Sequence, residues 1–102
     1  MIMRIWRGQA RGANAAAYVR HFNHTVSASL STMTGHKGAW LLRRETDGQT
    51  EFLALTLWDS RKAVEAFTGP DIDKAIVEPD ARAVLSGFDD FARHYEVAFA
   101  AP

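Results

Sequence analysis

Cysteine is absent from the 102 residues. That excludes disulfides, thiolate metal sites, iron–sulfur clusters and a cysteine nucleophile. Net charge is absent as well, because twelve Lys and Arg balance twelve Asp and Glu. The basic footprint of a nucleic-acid binder is therefore missing, and no nucleic-acid partner is expected. No apolar run approaches the ~18 residues of a membrane span, so no membrane partner is expected either. The opening Met1-Ile2-Met3-Arg4-Ile5-Trp6 lacks the apolar stretch of a signal peptide, which predicts a mature cytoplasmic chain. Gly35 and Gly38 match no phosphate-binding fingerprint, and the pair Asp89-Asp90 lacks the partners of a Ca²⁺ loop. Repeats, low-complexity tracts and linkers are missing too.

What is present is the composition of an ordinary globule, 47% hydrophobic and 24% charged. The length fits a single domain over residues 1–102. A domain this small buries only ~60–70% of the surface its unfolded chain exposes, so self-association is a natural source of further burial. Charge is split along the chain. Residues 1–44 hold seven basic residues and no acidic one, whereas 45–102 hold five basic and twelve acidic. Either the two halves neutralise each other in one domain, or Arg4 and Arg7 line a pocket for an anionic ligand.

Met1 to Gly8 reads as a strand, with Ile2, Arg4 and Trp6 on one face and Met3, Ile5 and Arg7 on the other. Asn14 to Thr34 reads as a long helix, with Asn14 as N-cap and Gly35 following its end. Ala15, Tyr18, Val19, Phe22, Val26, Leu30 and Met33 share its apolar arc. Ala39 to Glu45 and Glu51 to Trp58 read as a hairpin around Asp47-Gly48. Its second strand sets Phe52, Ala54, Thr56 and Trp58 against Leu53, Leu55 and Leu57. Asp59 or Ser60 caps a helix over Arg61 to Phe67, and Pro79 opens a short helix ending by Gly87. Phe91 to Phe99 reads as the last strand.

The order β-α-β-β-α-β predicts an α+β, ferredoxin-like domain with an antiparallel sheet. Both sheet faces are apolar, although an antiparallel sheet usually leaves one face to water. Helices account for one face. A second copy of the chain, forming a homodimer through the sheet, is expected on the other.

Four stretches resemble the antibiotic biosynthesis monooxygenase family of the dimeric α+β barrel superfamily, over nearly the whole chain. They are Met3-Arg4-Ile5-Trp6-Arg7-Gly8, Gly38-Ala39-Trp40-Leu41-Leu42-Arg43-Arg44, Glu51 to Ser60, and His94-Tyr95-Glu96-Val97. Leu55-Thr56-Leu57-Trp58-Asp59-Ser60, a strand ending in Trp and leading straight into a capped helix, is the most telling. The closing His-Tyr-Glu-Val is similar to a subgroup without an assigned activity. The resemblance implies a dimeric α+β barrel. It also implies a cofactor-independent monooxygenase acting on a small aromatic or quinol-like substrate, with no cofactor and no metal. Haem-degrading relatives use an Asn on the first strand, a Trp ending the third and a His after the second helix. Only Trp58 matches here; Trp6 stands at the Asn position and Val77 near the His position. The resemblance therefore argues against haem degradation.

Trp6 and Trp58, with Tyr18 and Phe22, either wall an apolar cleft for a small aromatic ligand or simply pack the core. His94 either removes a phenolic proton or orients a neighbour as general base or positioning group, or it is a structural imidazole bonded to a carbonyl or to Glu96. An ionised, electron-rich ring can pass an electron to O₂, which needs only a base, an apolar cavity and positioning. Arg4 is a candidate anchor for the developing anion. His21, beside Tyr18, falls at the cleft rim or on the bordering surface. His21 and His24 lie three apart, but no carboxylate in that helix completes a metal site. His36 carries no specific signal, and the segment between Pro70 and Pro79 is either a lid or a connector. A non-catalytic dimeric ligand-binding or stress-related protein using the same cleft is the alternative to the oxygenase.

Overall fold

The computed structural model describes residues 1–102. β1 (Ile2–Ala10) is the central strand. On one side it pairs along its full length with antiparallel β3 (Gln49–Trp58), and β2 (His36–Thr46) pairs with β3 beyond it. On its other side β1 pairs with two short strands, β4 (Gly87–Phe88) and β5 (Arg93–Glu96). The order β2-β3-β1-β4, all antiparallel, is the ferredoxin-like sheet expected from the sequence.

The expected closure into a dimeric α+β barrel is not what the chain forms. The sheet is open, with β2 at one edge and the short strands β4 and β5 at the other. A barrel wide enough to fill with side chains takes roughly eight strands, twice the strand positions available here. The last strand also departs from expectation. Phe91 to Phe99 does not form one ladder, because residues 89–92 turn to the preceding crossover. Ala75 N–H donates to Asp90 O, and Ala92 N–H donates to Asp73 O. After Glu96 the chain runs off the end of β1, where Val97 N–H donates to Met1 O.

The first helix begins two residues earlier than an Asn14 cap implies. Gly12, at φ 54°, occupies the N-cap position without a side-chain bond, and Asn14 lies inside the first turn. The helical run comprises α1 (Ala13–His21), a π-helical turn (Phe22–Val26) and α2 (Ser27–Ser31). The apolar spacing explains the interruption. Tyr18, Phe22, Val26 and Leu30 are four residues apart, and each such step drifts ~40° around a 3.6-residue helix. A wider π turn absorbs that drift and returns the row to the sheet. Tyr18, Phe22 and Leu30 are all buried.

The hairpin loop shrinks to Asp47-Gly48, both at positive φ (50° and 78°), as a two-residue turn of mirror-image type requires. Ser60 caps α3 (Arg61–Thr68), its hydroxyl accepting from Ala63 N–H at 3.1 Å. An irregular crossover leads to α4 (Pro79–Val84), which opens on proline.

The helices cover the inner face of the sheet with two adjoining cores. One gathers Ala10, Ala15, Tyr18, Phe22 and Ala81 around Phe52; the other gathers Ile2, Leu30 and Val64 around Trp58. Full burial of an aliphatic or aromatic side chain is worth about 1.5–3 kcal/mol. The outer face has no covering layer. Trp40 and Tyr95 there are 46% and 52% exposed, beside the half-buried Met3, Ile5, Leu53, Leu55 and Leu57. No helix is long and apolar enough to cross a membrane.

Candidate functional site

Where the two cores meet, the helices do not close completely on the sheet. A cavity of about 80 Å³ remains, lined mostly by apolar residues. A buried water needs ~10–15 Å³ on this measure, so the hollow admits more than one water or a small guest. Its floor is Arg4 and Trp6 of β1 with Ala54 and Thr56 of β3. The helical run supplies Tyr18, His21 and Phe22 with Val26, Ser29 and Leu30 from the π turn and α2. Phe67 of α3 faces them, and Ile76, Val77, Glu78 and Ala81 form the roof.

Strand alternation places Arg4, Trp6 and Gly8 on the inner face. Trp6 lies flat over Gly8, so that a methyl group there would sit 2.7 Å from the indole Cη2. The indole Nε1–H donates to Asp89 O at 2.8 Å. Tyr18 is 4% exposed and packs on Phe52, with ring centroids 4.9 Å apart. Burial pushes its phenol well above the usual tyrosine range, so it is a neutral donor.

Arg4 is 5% exposed and meets no carboxylate directly. Nη1 donates to Ile72 O and to His94 Nε2 (3.0 Å), and Nη2 donates to Lys74 O (2.9 Å). The guanidinium carbon stands 5.7 Å from the centre of the Phe67 ring. Burial lowers its pKa to about 10, partly offset by Asp73, which leaves it cationic at neutrality. These bonds tie the crossover over the sheet.

His94 does not reach the cavity; it stands behind Arg4 with its side chain almost wholly buried. Nδ1 lies 3.2 Å from Asp73 Oδ1. Arginine offers only donors, so Nε2 must accept and the ring proton must sit on Nδ1, directed at Asp73. Burial, and next the Arg4 charge, hold its pKa below the ordinary histidine value, against the pull of Asp73. The partner is therefore Asp73, not Glu96 or a backbone carbonyl.

Trp58 is also displaced from its expected place. It is 0% exposed, stacked on Phe67 at 5.6 Å, and its Nε1–H donates to Thr56 Oγ1 at 2.9 Å. It supports two wall residues from behind. Arg7 faces the outer side, where it and Arg44 each donate to Glu51 at 2.6 Å. These two bonds hold the Glu51 carboxyl below its usual range. Of the residues singled out from sequence, Arg4, Trp6, Tyr18, Phe22 and His21 meet around the cavity, and Trp58 and His94 do not. Thr56 and Phe67 went unremarked as wall residues, although Thr56 alternates in phase with Trp58. Asp73 carried no local signal at all. His36 begins β2 and stands edge-on to Trp58, ring centroids 5.1 Å apart.

Residues 1–79 match the family model described as antibiotic biosynthesis monooxygenase. No functionally curated protein matches the sequence. Among solved structures, SnoaB, a cofactor-independent oxygenase from Streptomyces nogalater, superposes with a TM-score of 0.70 at 18% identity, over 99% of this chain and 96% of its own. MhuD, a haem degrader from Mycobacterium tuberculosis, superposes with a TM-score of 0.63 at 23% identity, over 100% of both chains. At these identities the likeness is one of fold.

Proposed function

The chain belongs to the antibiotic biosynthesis monooxygenase family, and from that premise we propose that it is a cofactor-independent monooxygenase acting on a small, single-ring aromatic or quinol-like substrate. The observation that carries this reading is the cavity itself, an apolar hollow walled by Trp6, Tyr18, Phe22 and Phe67 with one buried cation, Arg4, in its floor. SnoaB, a named cofactor-independent oxygenase, has the same fold. Triplet O₂ reacts slowly with neutral closed-shell organics, whereas an ionised ring can pass it an electron. In this reading the aromatic walls hold the ring and exclude water, Arg4 faces the ring oxygen, and His21 lies at the mouth. His94 is a positioning residue for Arg4, because its Nε2 is already engaged there. Trp6 and Val77, standing where haem-degrading relatives use Asn and His, speak against haem as substrate. The uncovered outer face, with Leu55 between Trp40 on one edge strand and Tyr95 on the other, supports self-association through the sheet as part of the same proposal.

Oxygen uptake with a panel of hydroxyquinols and no added cofactor tests the chemistry. Turnover is expected in the wild type, with a fall of at least about tenfold, or ~1.4 kcal/mol in transition-state stabilisation, in Phe67→Ala. Absence of oxygen consumption with every quinol overturns the oxygenase. Ring binding that persists without consumption assigns the cavity to the non-catalytic ligand-binding alternative.

A further inference from the structure

The cavity wall holds donors that have no acceptor in the protein. Of the five N–H groups of Arg4, Nη1 uses both of its own and Nη2 uses one. Nε–H and one Nη2–H have no acceptor in the protein. The Tyr18 hydroxyl has no protein partner, and Thr56 Oγ1 only accepts, from Trp58. The single fully sealed side-chain nitrogen or oxygen without a partner is His36 Nε2. Arg4 Nε and Tyr18 Oη are therefore not fully sealed, and both residues line the cavity. Glu78 is the one carboxylate among the lining residues, and it is exposed to solvent. A buried cation and a neutral hydroxyl facing an apolar hollow suit an electron-rich oxygen. A charged oxygen gains most, since charge-assisted bonds strengthen where water is excluded.

We infer that the cavity selects its ligand in the ionised form, a single ring bearing a planar oxyanion that Arg4 and Tyr18 receive, and that Asp73, acting through His94, is a positioning residue for Arg4. This rests on the cavity being the ligand site, and not on any oxygen chemistry there. The shared ligand chemistry is that of a phenolate, an enolate or an aromatic carboxylate. Asp73 holds the imidazole as the Nδ1–H tautomer, and only that tautomer presents a lone pair to Arg4 Nη1. The charged groups around His94 are Arg4 from β1, Asp73 from the crossover and Arg61 from α3. Without Asp73 the ring is free to turn an N–H toward the guanidinium, and Arg4 keeps its bonds to Ile72 O and Lys74 O but loses the third one that sets its edge toward the cavity.

The test uses 4-nitrophenol, whose phenolate absorbs in the visible and whose phenol does not. Adding protein in buffer near the probe's own pKa is expected to raise the phenolate band, with phenolate bound about tenfold tighter than phenol, the equivalent of one pKa unit. Benzoate competes if a carboxylate fits as well, and leaves the band intact if only a phenolic oxygen does; both outcomes support an oxyanion seat. Arg4→Met abolishes the preference, and Tyr18→Phe, which leaves the packing intact, lowers it several-fold. Asp73→Ala lowers the preference several-fold while Asp73→Asn keeps it, because the amide oxygen still accepts from Nδ1–H. Uptake of the neutral phenol, no uptake of the probe, or an unchanged shift in Asp73→Ala overturns the inference. Should Arg4→Met fail to fold, Tyr18→Phe and the Asp73 pair decide the matter. A phenolate preference without oxygen consumption on any quinol sinks the oxygenase and leaves the oxyanion seat standing. Oxygen consumption without that preference does the reverse.

Discussion

At the scale of single residues, His94 makes the sharpest statement about pH. Its folded-state pKa lies below the ordinary value of 6.5, with burial as the main cause and Arg4 next. As pH falls below about 6.5, the unfolded chain takes up the proton that the folded chain resists. The unfolded state then binds more protons, so stability falls with falling pH until the folded pKa is passed. Denaturant midpoints across that window are expected to decline in the wild type and to flatten in His94→Gln; equal slopes would remove His94 as the cause. Glu51 works in a separate, more acidic window. Its Arg44 and Arg7 bonds stabilise the fold above the ordinary carboxylate value of 4.5, and that contribution disappears as pH falls through its depressed folded pKa. Gly8 shows a different kind of control. Any side chain there meets the Trp6 indole and displaces it from its seat.

At the scale of elements, α3 links fold to site. Eight residues long, it carries Val64 into the core and Phe67 onto both Trp58 and the cavity. A helix this short depends on its cap and its packing. Ser60→Ala removes the hydroxyl that accepts from Ala63 N–H and is expected to cost about 1 kcal/mol, read as a shift in the denaturation midpoint. This cap was legible in the sequence, as were the Asp47-Gly48 turn and the order of strands and helices, because each rests on chemistry within a few neighbouring residues. The face of each strand was legible for the same reason: Arg4 and Trp6 share the inner side with Phe52, Thr56 and Trp58. Position along that face was not. Whether an indole seals the core or borders a hollow depends on where α3 lands, so Trp6 lines the cavity while Trp58, expected beside it, is sealed in the core. The pair Asp73–His94 was hidden for a related reason. Its members lie 21 residues apart and meet only because Arg4 draws the crossover onto β1.

At the scale of the whole molecule, the division of charge along the sequence is resolved by interleaving. Arg7 and Arg44 from the basic half meet Glu51 of the acidic half, Lys37 approaches Asp59 at 3.7 Å, and Arg4 reaches Asp73 through His94. Direct pairing across the sheet thus engages Arg7, Lys37 and Arg44, and Arg4 alone brings positive charge to the cavity. The outer face is where the molecule is least finished. Leu55 lies between Ile5 and Trp40 in register across three strands. A charge there disfavours burial of the face against any apolar partner. Sedimentation is expected to show a wild type heavier than one chain and Leu55→Glu at the mass of one chain. A wild type at the mass of one chain at all concentrations counts against self-association.

The three tryptophans occupy three distinct surroundings: Trp6 at the hollow, Trp58 sealed inside and Trp40 half exposed on the bare side of the sheet. Their intrinsic emission therefore separates three events. Quenching at Trp6 reports a guest, a red shift at Trp58 reports unfolding, and a blue shift at Trp40 reports contact with a neighbour, so single-indole variants turn this small chain into its own set of optical gauges.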